Sequence, residues 1–169
     1  MTVADNNNSS DYVIRQATAE DVPAIFKLLR ELAESGNLAH RFSCNEDDLR
    51  RHGFGEQPMF EALLAESHGT AIGLSLFFFT YSSWRGAKGV YVQDLVVSQG
   101  AQAQGLGRRL IVATARHAVK SGATHLRLSV ECDNDKAIGF YRRLGLRHSD
   151  SERIFEASGA TFEELLKDQ

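Results

Sequence analysis

The sequence predicts an α/β fold, a mixed central β-sheet flanked by helices, and three observations predict it. Strand-like segments follow one another in the first half, strand and helix alternate in the second, and the 169 residues fit one domain. A fold of this length buries roughly 70% of the surface its unfolded chain exposes. Consecutive strands early in the chain argue against a uniformly alternating parallel sheet.

Residues 1–11 lack a basic start and an apolar stretch, so no secretory signal is expected; they read as a flexible tail on a cytosolic protein, ahead of one domain over 12–169. Residues 12–17 alternate as a short strand and run into Thr18-Ala-Glu-Asp21, a capping-box-like helix start with Pro23 in the first turns. Val22, Ile25, Phe26, Leu29, Leu32 and Ala33 keep the three/four spacing of an amphipathic helix, which Gly36 and Asn37 stop. A weaker helix over 45–52 ends in the turn-rich residues 53–58. Residues 59–66 and 71–80 flank His68-Gly69-Thr70 as a β-hairpin. The longest apolar run, 71–79, is broken by Gly73 and Ser75 and is about half the ~20 residues of a membrane span, so it reads as a buried strand.

A loop over 81–89 carries Trp84, and 90–97 is an apolar strand with Gln93 and Asp94 inside it. Two polar residues within a central strand need a reason. A loop over 98–104 leads to a helix over 105–121, with Gly122 as its stop. In the strand over 124–131, Leu126, Leu128 and Val130 point one way and His125, Arg127, Ser129 and Glu131 the other. Asn134 starts a helix to Leu144, Gly145 stops it, and a last strand over 153–157 precedes Thr161-Phe-Glu-Glu164, another capping box.

The chain is 43% hydrophobic and 24% charged, the balance of an ordered soluble protein. Nineteen basic against 22 acidic residues leave a net charge of −3, so no global basic field holds a polyphosphate backbone and neither nucleic acid nor membrane is expected as a partner. Cys44 and Cys132 lie far apart without C-x-x-C spacing; no metal and no disulfide are expected, and both read as small buried or half-buried residues.

The most informative stretch is Gln102-Ala103-Gln104-Gly105-Leu106-Gly107-Arg108-Arg109, a glycine-containing loop that follows a buried strand and opens a helix. The unpaired amides of a helix's first turn and the positive end of its dipole attract phosphate, and glycines let an anion approach closely. A P-loop would need Lys at Leu106, and a dinucleotide fingerprint would need a small residue at Leu110, so neither fits. The plain alternative is a tight turn. Asn134 and Tyr141 lie close to two helical turns apart and share one face, where an amide and a phenol can line a groove; alternatively Asn134 is only an N-cap and Tyr141 only half-core.

Taken together, the strand over 90–97, Gln102-x-x-Gly105-x-Gly107 and Asn134-Asp-Lys-Ala-Ile-Gly-Phe-Tyr141 resemble the GNAT superfamily of N-acetyltransferases. Arg30-Glu-Leu-Ala33, Gly53-Phe-Gly55, Phe79-Thr-Tyr-Ser-Ser-Trp84 and Gln93-Asp94 are similar to its spermidine/spermine and thialysine acetyltransferase branch, which is typically dimeric. The resemblance implies acetyl-CoA as cosubstrate, held by Leu95, Val96, Val97, Gln102, Ala103, Gln104, Gly105, Leu106, Gly107, Arg108, Asn134, Lys136 and Tyr141. It places the branch's polyamine-binding positions at Ser35, Gly36, Ser82 and Gln93, where relatives tend to carry Tyr, Glu, Asp and Glu. Three carboxylates are thus absent, which tells against long polyamines and leaves small monoamines and amino acids open.

Acetyl transfer needs a neutral amine, whereas an alkylammonium has a pKa near 10.4. Asp94 and Glu131 rank equally as the proton acceptor, with His125 third; the plain reading of both carboxylates is an ordinary strand polar. The resemblance places the backbone amide near Leu95 and Val96 at the thioester carbonyl, and Tyr141 is assigned to the departing thiolate. Gln93, Trp84, Arg127 and Ser129 are candidates for the acceptor pocket. Nucleophilic catalysis by Cys132 is the rival mechanism, without a readable Cys–His arrangement. The expected activity is direct transfer, in a ternary complex, to the primary amine of a small molecule, a diamine, an amino acid or a polyamine-like compound, by a cytoplasmic homodimer. The alternative function is an acyl-CoA-binding regulator or an inactive member of the same fold.

Overall fold

The computed structural model describes residues 12–102, 105–150 and 152–167; the expected tail over 1–11 lies outside them. The chain divides into two compact units, Met1–Ser129 and Val130–Gln169. The first contains β1 (Val13–Gln16), α1 (Val22–Ser35), α2 (Glu46–Phe54), β2 (Glu61–Ser67), β3 (Thr70–Ser82), β4 (Ala87–Val97), α3 (Leu106–Lys120) and β5 (His125–Leu128). The five strands form one sheet in chain order, antiparallel except for the parallel pair β4–β5. A parallel neighbour requires a crossover, and α3 supplies it. The sheet is therefore mixed, as the order of segments in the sequence predicts.

Strand alternation divides the apolar residues between two layers. Ala62 and Leu64 of β2, Leu74 and Leu76 of β3 and Val96 of β4 pack with Val22, Ile25, Leu28 and Leu29 of α1 and Leu49 of α2. On the opposite face Ala65, Ile72, Leu95 and Val97 pack with Leu106 and Leu110 of α3. Asn45 caps α2 by accepting from the Asp48 amide at 3.0 Å. Arg15 of β1 grips Asp21 at 2.7 and 2.8 Å and Glu66 of β2 at 2.7 Å, and its guanidinium holds the Asp21 carboxyl down to about 2. The β2–β3 turn places His68 and Gly69 at φ 47° and 74°, the pair of left-handed residues that suits a two-residue hairpin.

Beneath α3, Ser75 and Thr114 are both fully buried; their hydroxyls bond at 2.8 Å, and Thr114 also donates to the Leu110 carbonyl at 2.9 Å. Thr114→Val keeps the shape but strands the Ser75 hydroxyl, an expected loss of about 1–3 kcal/mol in urea unfolding.

Four sequence expectations about secondary structure change. The loop over 81–89 shrinks to a turn at 83–86, because pairing of β3 with β4 continues to Ser82↔Ala87. The strand over 124–131 stops at Leu128, where its ladder with β4 ends although β4 itself continues. Residues 153–157 form no strand; Ile154 and Phe155 are 78% and 91% exposed, and an alternating segment without a ladder partner has no edge to hold it. Thr161 is no cap: the last helix, α5 (Gly159–Glu164), starts from Ser158, with Gly159 at φ 53° turning the chain into it.

The second unit also holds α4 (Asp135–Arg143), closed by Gly145 at φ 84° as predicted. Cys44 is half-buried, but Cys132 is exposed, contrary to expectation. Among the described residues, no helix is long and apolar enough to cross a membrane.

Candidate active site

The two polar residues inside β4 have a geometric reason. Phe77 pairs with Val92 and Leu76 with Asp94, which makes Gln93 an extra residue, a β-bulge. In a regular strand Val92 and Asp94 would point the same way. Across the bulge they do not: Val92 shares the face of Phe77, whose ring meets His117 of α3 at 5.6 Å, whereas Asp94 shares the face of Leu76, in the α1/α2 layer. The bulge also coincides with the end of β4–β5 pairing, whose last rung is Val92↔Leu128. Beyond it, Asp94–Val97 of β4 keep β3 on one edge and have no ladder partner on the other among the described residues. This explains the early stop of β5.

Asp94 is half-buried, and burial pushes its carboxyl up to about 6. A carboxyl group of that pKa is ionised at neutral pH yet basic enough to take a proton. Gln93 is exposed beside it. His125 sits at the far end of the ladder, paired with Gly89, so it begins three residues, roughly 10 Å, from the rung at Val92; its ring occupies the space a Gly89 side chain would need. It is not beside Asp94.

The loop after β4 leads to Gly105 at φ 74°, a left-handed conformation that strains other residues and here opens α3 at Leu106. Gly105 has no side chain to cap the helix, so among the described residues no side-chain cap serves the first turn of Leu106, Gly107 and Arg108, an arrangement suited to an external acceptor. Gln102 donates from Nε2 to the Val97 carbonyl at 3.3 Å, tying the loop to the end of β4. Ala103 and Gln104 lie outside the described residues.

Of the acceptor-pocket candidates, Arg127 pairs with Tyr91 across β4–β5, and Ser129 accepts from the Tyr91 hydroxyl at 2.7 Å just past the last rung. Trp84 stands fully exposed at the tip of the β3–β4 hairpin. In the second unit, Asn134 caps α4 by accepting from the Ala137 amide at 3.0 Å, so its carbonyl oxygen serves the helix. Tyr141 is half-buried, its ring against Phe140 at 5.0 Å, and burial pushes the phenol up to about 12. Lys136 is exposed. Glu131 is exposed too and heads a turn, accepting from the Asn134 amide at 3.0 Å, rather than ending a strand as expected. The sequence reading missed the groove beside α1 lined by Phe26, Arg30, Phe42 and Cys44. Its two walls are separate segments, and only the adjacent Arg30-Glu-Leu-Ala33 motif pointed there.

The acetyltransferase (GNAT) family model matches residues 22–146. The chain is 36% identical over 163 residues to thialysine N-epsilon-acetyltransferase of Mus musculus, covering 90% of this chain and 95% of that one. It is 32% identical over 166 residues to spermidine/spermine N(1)-acetyltransferase-like protein 1 of Homo sapiens, covering 94% of this chain and 24% of that longer protein. An integron cassette protein from the mobile metagenome of V. cholerae shares the fold, with a TM-score of 0.80 at 19% identity over 95% of this chain and 100% of the other. With the mixed sheet and the glycine-opened helix, these matches show that the chain belongs to the acetyltransferase (GNAT) family and is an N-acetyltransferase.

Proposed function

We propose that this chain transfers the acetyl group of acetyl-CoA directly to the primary amine of a small molecule in a ternary complex. The bulge at Gln93 carries this reading: one irregularity turns a carboxylate of raised pKa onto the α1/α2 face and frees the adjoining strand edge. The chain's groups fit the cosubstrate. The capless start of α3, with Gly107 and Arg108, suits a pyrophosphate, and the edge of β4 at Leu95, Val96 and Val97 offers backbone groups to an extended amide chain. Bound acetyl-CoA supplies an acyl carbon open to an amine.

Asp94 holds the proton given up by the acceptor's ammonium; its burial favours it over exposed Glu131 and distant His125. A backbone amide near Leu95 and Val96, on the edge of β4 away from β3, would donate to the carbonyl oxygen as negative charge develops on it. Tyr141 keeps its proton throughout the neutral range and is the donor for the departing sulfur. Asn134 and Lys136 complete the cofactor set, and Gln93, Arg127 and Ser129 border the acceptor. A thialysine acetyltransferase among the relatives supports a small amine as the acceptor. A homodimer and a cytoplasmic location belong to the same reading on the strength of the resemblance.

The test is release of free thiol from acetyl-CoA with a panel of monoamines, amino acids and polyamines. Cofactor binding without thiol release from any of them would replace the enzyme by a sensor. Gly107→Val places a branched side chain over the first-turn amides of α3. Calorimetry should show CoA affinity at least tenfold weaker while circular dichroism stays unchanged, and unchanged affinity would move the pyrophosphate elsewhere.

A further inference from the structure

Where β4 and β5 part, one side-chain bond ties them together beyond the ladder. The last rung is Val92↔Leu128, and Ser129 is the next residue of the chain. Its hydroxyl oxygen accepts from the Tyr91 phenol at 2.7 Å, so the bond starts one rung before the end of the ladder and reaches one residue past it. The Tyr91 ring is set in turn by Phe78, its partner across β3–β4, on which it stacks with centroids 5.2 Å apart. Phe78 and Leu76 are two residues apart on β3 and share a face, and Leu76 pairs with Asp94. The bulge at Gln93 therefore puts Tyr91 and Asp94 on one face of the sheet, with the Tyr91–Phe78 pair one same-face step, roughly 7 Å, from the Asp94–Leu76 pair.

We propose that Tyr91 and Ser129 set the length of the acyl group that this chain accepts. With the pyrophosphate at the start of α3, after Val97, and the thioester carbonyl at the amide near Leu95 and Val96, the cosubstrate runs along β4 toward Val92, and its acyl carbons come last. They point into the apex of the cleft, which the last rung and the Tyr91–Ser129 bond close. Held against β4, Ser129 leaves room there for a methyl group, and a longer chain has to prise the two hydroxyls apart before it is seated. A single hydrogen bond beside water is a modest restraint, worth roughly two- to tenfold in an equilibrium, so the selection is graded rather than absolute. The inference rests on the acetyl-transfer reading and adds to it a choice among acyl donors.

The measurement is kcat/KM for acetyl-CoA, propionyl-CoA and butyryl-CoA with one acceptor, read as the ratio of butyryl to acetyl so that any effect on the acceptor cancels. In the wild type the ratio should fall with each added carbon, to about one tenth or less. Tyr91→Phe, which keeps the ring on Phe78, and Ser129→Ala should each raise the ratio about fivefold. The double variant should raise it no further than either single one, because both remove the same bond. Ser129→Thr keeps a hydroxyl and should hold the ratio at or below the wild-type value. Calorimetric binding of acetyl-CoA and butyryl-CoA without an acceptor reads the same preference without turnover. Absence of thiol release from every donor would therefore sink the transfer reading while the brace is still tested. A wild type that binds or uses butyryl-CoA as well as acetyl-CoA, single variants of native circular dichroism whose ratio is unmoved, or effects that add in the double variant overturn the assignment.

Discussion

Asp94→Asn should lower kcat/KM by at least about 10²-fold and at the same time raise the melting temperature at neutral pH. The first effect follows from losing the proton acceptor, a role worth about 10²–10⁴ in rate. The second follows from the environment that makes Asp94 a useful base. Its native carboxyl titrates at about 6 because burial disfavours the charge, whereas an unfolded aspartate titrates near 3.9. Between those values the native state binds more protons than the unfolded one, so stability falls as pH rises through the window and is lowest above it. The roughly two-unit difference sets a ceiling of about 3 kcal/mol on what the ionised carboxylate costs. Asparagine removes that cost while leaving a polar amide to be satisfied, so a gain of a few degrees is expected. Wild-type kcat/KM should climb with pH through about 6. Scanning calorimetry and a pH–rate profile check both halves; a variant that keeps its activity, or a profile flat across that range, would remove Asp94 as the base.

Tyr141→Phe should reduce kcat by about 10²-fold with CoA affinity within a factor of three of wild type. The substitution keeps the ring and its contact with Phe140 and deletes only the hydroxyl. With the phenol pushed up to about 12, the wild-type group stays protonated throughout the assay range and can give its proton only as the sulfur departs. An interaction used only in the transition state shows in kcat and leaves ground-state binding alone. Single-turnover acetyl transfer beside calorimetric CoA binding separates the two. Full turnover in the variant would mean that Tyr141 only packs.

Much of the fold was legible because local rules and tertiary context agree. The α1 stripe of Val22, Ile25 and Leu29, the turn at His68-Gly69 and the glycine stops at Gly122 and Gly145 depend on side chains and φ angles within a few residues. The strand over 153–157 failed for the opposite reason: alternation shows which residues would share a face, but a strand also needs an edge to pair with. Thr161 failed because a capping box describes spacing, and the chain reversal at Gly159 decides where the helix begins.

The same division runs through the candidate site. By itself the sequence determined the family, the glycine-opened helix start and the presence of two polar residues in an apolar strand, because each is a pattern of residue types at short spacing. Only the tertiary structure decided that Gln93 is the bulge and Asp94 the side chain turned toward α1 and α2, since a bulge is a count of two residues against one on the neighbouring strand. It also parted Asp94 from Glu131, which the sequence ranked alike: one is partly withdrawn from water within the sheet and the other is left exposed in a turn. Burial is a property of what the rest of the chain places around a residue, and no short stretch of sequence contains it.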